Sequence, residues 1–132
     1  MASVPLDRKD EAARKRSLET MANELNQNIS LIIFPEGTRN RTPAPLKEFH
    51  NGAFIISMKT GKPIMPVVFT NIKNLSSPES ILIKPWKFEA HHLAPVFPDS
   101  FNEVQEYKDY IYKIMWNFLV ENDSSFKDYK KL

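Results

Sequence analysis

The stretch Ile29-Ser30-Leu31-Ile32-Ile33-Phe34, running straight into Pro35-Glu36-Gly37-Thr38-Arg39-Asn40, decides the reading of this chain. The first half is a continuous apolar run with three isoleucines. Bounded by turn residues, such a run suits a strand buried on both faces, as in a parallel sheet. In the second half Pro35 and Gly37 shape a tight loop, and Pro43 and Pro45 keep the backbone irregular as far as Asn51. Upstream, Leu18, Met21, Ala22 and Leu25 fall at i, i+3, i+4, i+7, so Asp10 to Asn28 is expected to be an amphipathic helix. Before it, Ser3 to Leu6 read as a short strand. Downstream, Asn51 to Thr60 read as a helix capped by Gly61 and stopped by Pro63. Ile64 to Phe69 follow as a strand, in which Pro66 suggests a bulge or an edge. Strand, helix, strand, loop, helix, strand is the alternation of an α/β fold, with a mostly parallel sheet flanked by helices.

Two further strands are expected at Ser80–Lys84 and Lys87–Leu93, split by Pro85. A last helix, capped by Asp99 or Ser100, runs to Glu121 and repeats Val104, Tyr107, Ile111, Ile114 and Phe118 at helical spacing. Its aromatics suit core packing, with a membrane interface as the rival reading. The reading divides the chain into a domain over residues 1–121 and a polar, frayed tail over 122–132.

The chain has 132 residues, 42% hydrophobic and 26% charged, which is the make-up of one folded domain rather than a disordered segment. A net charge of +2, with both signs spread along the chain, gives no case for nucleic acid as a partner. The absence of Cys excludes a disulfide scaffold, a thiolate nucleophile and a thiolate metal site. No signal-peptide pattern opens the chain, and no apolar run approaches the roughly 18 residues of a membrane span.

The chemistry is written at the carboxyl end of the Ile29–Phe34 run, where open α/β sheets bind ligands. The loop offers backbone N–H groups, and Arg39 offers a guanidinium fork that fits a phosphate in a bidentate way. Arg41 and Lys47 add charge, and no acid stands between Gly37 and Lys47. Arg8, after the first strand, would lie at the same end of the sheet if the two strands are neighbours. A phosphate is the expected guest. Glu36 does not fit a bare anion site. It orients an arginine, accepts a hydrogen bond from a neutral part of the ligand, or serves as a structural cap. His50 sits beside the loop, and His91 and His92 alternate faces on a strand. None of the three has metal-ligand spacing to a third donor.

Phe34-Pro35-Glu36-Gly37-Thr38-Arg39 resembles the phosphate-binding motif of the glycerolipid acyltransferases, closest to the 1-acylglycerol-3-phosphate (lysophosphatidic acid) acyltransferases. Val4-Pro5-Leu6-Asp7-Arg8 resembles the family's preceding motif. Phe49-x-x-Gly52-Ala53-Phe54 resembles its glycine-containing helix start. Thr60-Gly61-Lys62-Pro63-Ile64-Met65-Pro66-Val67-Val68 resembles its last motif. The resemblance implies acyl transfer from acyl-CoA or acyl carrier protein to the hydroxyl of a lysophospholipid, at the cytoplasmic face of a membrane and without metal or other cofactor. It assigns Arg8, Glu36, Gly37, Thr38, Arg39 and Lys47 to the acceptor's phosphate, and Pro35, Gly52 and Pro66 to the motif framework.

The family's base stands in an Asn-His-x-x-x-x-Asp motif ahead of the first arginine. Here five positions after His50, His91 and His92 stand Ile55, Val96 and Phe97. No catalytic residue is therefore assigned, and the chain is expected to correspond to the C-terminal part of an acyltransferase, its N-terminal part missing. The alternatives are an enzyme completed by a partner chain, a non-catalytic phospholipid-binding module, and a truncated remnant.

Overall fold

The structure, a computed structural model, describes residues 11–72 and 87–132. Helix α1 spans Glu11–Asn26, rich in Ala, Arg, Leu and Glu that lose little freedom in a helix. It stops where Asn28 turns left-handed at φ 62°, and the Ile29 N–H closes on the Glu24 carbonyl at 3.0 Å. Its buried face is Ser17, Met21 and Ala22, with Leu18 and Leu25 beside them, close to the stripe expected from spacing. That face meets Ile56 of helix α2, Gly52–Thr60.

Helix α2 ends as expected, at Gly61 in the left-handed conformation (φ 66°). It is apolar nearly all round because it is covered on two sides. Ile56 faces α1, while Phe54 faces the larger cluster. That cluster is closed by helix α3, Val104–Asn122, through Tyr107, Ile111 and Leu119. Tyr107 is fully buried, edge-on to Phe54 at 5.7 Å and stacked on Phe101 at 4.8 Å. Its hydroxyl donates to the Val96 carbonyl at 2.8 Å and lies 3.1 Å from Ser57 Oγ, so this buried polar atom is not stranded. Helix α3 begins later than expected. Pro98–Ser100 form a separate 3-10 turn, and the Glu106 carboxylate accepts from the Asn102 N–H at 3.2 Å.

Strands β1 (Val67–Thr70) and β2 (Glu89–His92) pair antiparallel, Val67 opposite His92 and Thr70 opposite Glu89. Pro66 breaks the ladder, as its missing N–H requires. Beyond it Ile64 bridges Val96, so Met65 and Pro66 face three residues, Leu93 to Pro95. This is the bulge anticipated at Pro66.

Among the described residues the one ladder is antiparallel. Two expectations change. The Ile29–Phe34 strand is not formed. The segment is extended, Leu31 packs against the α1–α2 cluster, and Ile32 and Phe34 stand 68% and 74% exposed. Apolar composition supplies the faces of a strand, but only a neighbour supplies its hydrogen bonds, and no described residue pairs with it. Finally, the stretch after Asn122 is not frayed. Phe126 enters the core, Asp123 is buried, and Trp116 Nε1 donates to the Lys130 carbonyl at 3.0 Å. The expected strands Ser3–Leu6 and Ser80–Lys84 lie outside the described residues.

Candidate functional site

Residues Phe34 to Asn40 line an open depression of about 370 Å³. Gly37 takes φ 65°, a conformation that costs other residues about 1–2 kcal/mol, and its N–H donates back to the Phe34 carbonyl at 3.0 Å. The loop is tied to the segment before α2 at three points. The His50 N–H donates to the Pro35 carbonyl at 2.8 Å. The Lys47 N–H donates to Glu36 Oε2 at 2.9 Å. Lys47 Nζ donates to Thr38 Oγ1 at 2.8 Å. The far side of these ties is packed into the core. Leu46 and Phe49 are core residues, and Phe49 lies edge-on to Tyr112 at 5.0 Å.

Among the described residues Glu36 is a half-buried brace, its carboxylate accepting from a backbone N–H eleven residues away. Burial pushes its carboxyl above the usual value of 4.5, and the Lys47 N–H and ammonium oppose that shift.

Gly37, Thr38 and Lys47 are thus brought together, with Arg39 exposed at the rim. Pro35 is held by His50, while Pro66 lies at the bulge, in another part of the fold. Gly52 opens α2, where an added Cβ would meet Leu18 Cδ2 at an ordinary 3.8 Å, so packing does not demand glycine there. Arg8 lies outside the described residues. Sequence reading missed Asn40. Its Oδ1 accepts from the Thr42 N–H at 2.9 Å and the Thr42 hydroxyl at 2.7 Å, and its Nδ2 donates to the Ala44 carbonyl at 2.9 Å. The Asn40-Arg41-Thr42 triplet carried the signal, since an Asn side chain commonly caps the N–H two residues on.

Among the described residues no histidine forms a relay. Thr70 Oγ1 and Glu89 Oε2 both approach the same nitrogen of His91, at 3.1 and 3.4 Å, whereas a relay needs opposite nitrogens. No cluster of three metal-binding side chains occurs among the described residues, and no described helix is long and apolar enough to cross a membrane.

Comparison with known proteins gives the loop its context. A 1-acyl-sn-glycerol-3-phosphate acyltransferase of Cocos nucifera is 30% identical over 120 residues, 89% of this chain and 39% of the relative. One of Haemophilus influenzae is 39% identical over 73 residues, 54% of this chain and 30% of the relative. The crystal structure of the 1-acyl-sn-glycerophosphate (LPA) acyltransferase PlsC from Thermotoga maritima superposes with a TM-score of 0.72 at 24% identity, covering 90% of this chain and 47% of that one. The α/β fold, helices against a small sheet, is therefore that of PlsC, and the chain spans less than half the length of these proteins. The model of the family described as Acyltransferase matches residues 1–70, more than half of the sequence and all of the braced loop, and on that match the chain belongs to the acyltransferase family.

Proposed function

We propose that this chain is the acceptor-binding part of an acyltransferase that moves a fatty acyl group from acyl-CoA or acyl carrier protein to the free hydroxyl of 1-acylglycerol-3-phosphate. The braced loop carries the reading. Glu36 and Lys47 hold the turn in place, and the loop carries Arg39, Arg41 and Lys47 with no acid between Gly37 and Lys47. A phosphate monoester there takes charge-assisted hydrogen bonds from Arg39 and Lys47 and backbone N–H groups from the Gly37 turn. Glu36 acts as a positioning residue. Arg8 completes the clamp from the family's preceding motif.

Acyl transfer also needs a base for the acceptor hydroxyl. No histidine of the chain has an aspartate five residues on, so these residues bind and orient the acceptor, and the base comes from elsewhere in the complete enzyme. An amphiphilic acceptor supports a loop held peripherally against a membrane, and the family resemblance supports the cytoplasmic face.

Titration of the chain with 1-oleoyl lysophosphatidic acid tests the reading. Saturable binding is expected, weakened about tenfold by Arg39→Ala, the loss of one charge-assisted contact. No acyl transfer is expected from the chain alone. Binding indifferent to Arg39→Ala, or turnover by the isolated chain that survives it, would refute the assignment.

A further inference from the structure

We infer that Lys108 and Tyr112, one turn apart on α3, are positioning residues for the acceptor's phosphate, acting through the segment 46–51 that carries the loop's ties. The inference rests on the acceptor reading of the loop. Residues four apart stand on one face of a helix. Lys108 and Tyr112 use that face to hold the two ends of the segment. The Tyr112 hydroxyl donates to the Leu46 carbonyl at 3.3 Å, and Lys108 Nζ donates to Asn51 Oδ1 at 2.9 Å. Between these points lie the Lys47 N–H, bound to Glu36, and the His50 N–H, bound to Pro35. Helix α3 thus bears on the phosphate loop at one remove.

Two features set this contact apart from ordinary packing. Lys108 is only 8% exposed, although a lysine normally carries its charged head to water. Asn51 precedes α2, where an Asn side chain ordinarily accepts from the helix's own N–H groups. It makes no such cap. Its backbone is already helical, at φ −74° and ψ −13°, and its oxygen is turned to a lysine 57 positions away. Both residues forgo their usual role for one contact, and the stretch that contact fixes is the one bracing the loop. Burial pushes the Tyr112 hydroxyl above its usual 10, and the carboxylates of Glu36 and Glu48 push it further, so it stays a donor to Leu46.

The test joins amide hydrogen exchange by NMR to titration with 1-oleoyl lysophosphatidic acid, in Lys108→Met, Asn51→Ala and Tyr112→Phe. Met keeps the lysine stem, and Phe keeps the ring against Phe49. In each variant the Lys47 and His50 amides should exchange about fivefold faster relative to the Ile111 amide, and the lipid should bind about fivefold more weakly, the worth of one hydrogen bond. A merely structural loss would speed Ile111, buried in the core, by the same factor and leave the ratio unchanged. Asn51→Asp keeps an acceptor for Lys108 and should exchange as wild type. Lys113→Met, which removes the same charge from an exposed position on α3, should change neither readout. The inference is overturned if the exchange ratio stays at the wild-type value in all three variants, or if it rises while lipid affinity is untouched. A wild-type chain that binds no lipid overturns the acceptor reading and this role with it. An unchanged exchange ratio beside intact lipid binding overturns the role of α3 alone.

Discussion

Glu36 places a half-buried carboxylate inside a loop whose other ionisable groups are cations, and that has a measurable consequence. Burial raises its pKa in the folded chain above the ordinary 4.5. The folded state then holds the proton more tightly than the unfolded state. The stabilisation this gives is complete below 4.5 and is lost as the pH rises through the raised value. Glu36→Gln keeps an oxygen for the Lys47 N–H and does not titrate. Urea unfolding at a series of pH values should therefore show wild type losing stability relative to Glu36→Gln as pH climbs above 4.5 and through the raised pKa. Parallel curves would mean that the carboxyl is not desolvated. The residue types of the loop were legible in the sequence because Pro35, Gly37 and Arg39 stand together in one short motif. The role of Glu36 was not, since its partner is a backbone N–H eleven positions away, brought close only by the anchoring of Leu46 and Phe49.

The two glycines flanking α2 make opposite predictions for the ends of that helix. Gly61 sits at φ 66°, and a Cβ added there would meet nothing within 4 Å, so its requirement is purely conformational. Gly61→Ala should destabilise by about 1 kcal/mol. Gly52 begins the helix without a positive φ, and a Cβ there makes ordinary contact with Leu18. Gly52→Ala should be neutral or stabilising by up to about 1 kcal/mol. Thermal or urea unfolding of the two variants checks both signs, and equal effects would contradict this reading of the helix ends. The same contrast explains which elements the sequence disclosed. Helices satisfy their own backbone, so spacing and caps locate α1 and α2 to within two residues. Strands depend on neighbours. The bulge at Pro66 was foreseeable from its missing N–H, but the pairing direction of β1 and the fate of Ile29–Phe34 depended on residues elsewhere.

Across the full chain, the carboxyl end closes the structure instead of trailing from it. Its composition after Asn122 is mostly polar, which hid the two residues that matter. Asp123 ends α3, its N–H donating to the Leu119 carbonyl at 2.9 Å, while its carboxylate accepts the Asn71 N–H at 2.8 Å and the Ser125 N–H at 2.9 Å and so ties the end of β1 to the end of the helix. Phe126 then drops into the cluster of Phe54, Tyr107 and Ile111, edge-on to Tyr129 at 6.3 Å, while Trp116 packs on Tyr129 at 5.8 Å. Two aromatics in a polar tail are too few to show a periodicity, so only the packed structure reveals their place. Replacing a buried Phe by Ala removes its transfer free energy and leaves a cavity, at a cost of about 3 kcal/mol. For a domain with a total stability of about 5–15 kcal/mol, that is a large fraction. Phe126→Ala should lower the urea midpoint markedly while leaving the slope of the transition unchanged, because the same surface is exposed on unfolding. Ser124→Ala, two residues away and exposed, should change stability by less than about 0.5 kcal/mol. A midpoint untouched by Phe126→Ala would return these residues to a solvated tail, and the core around Tyr107 would then have to close without them.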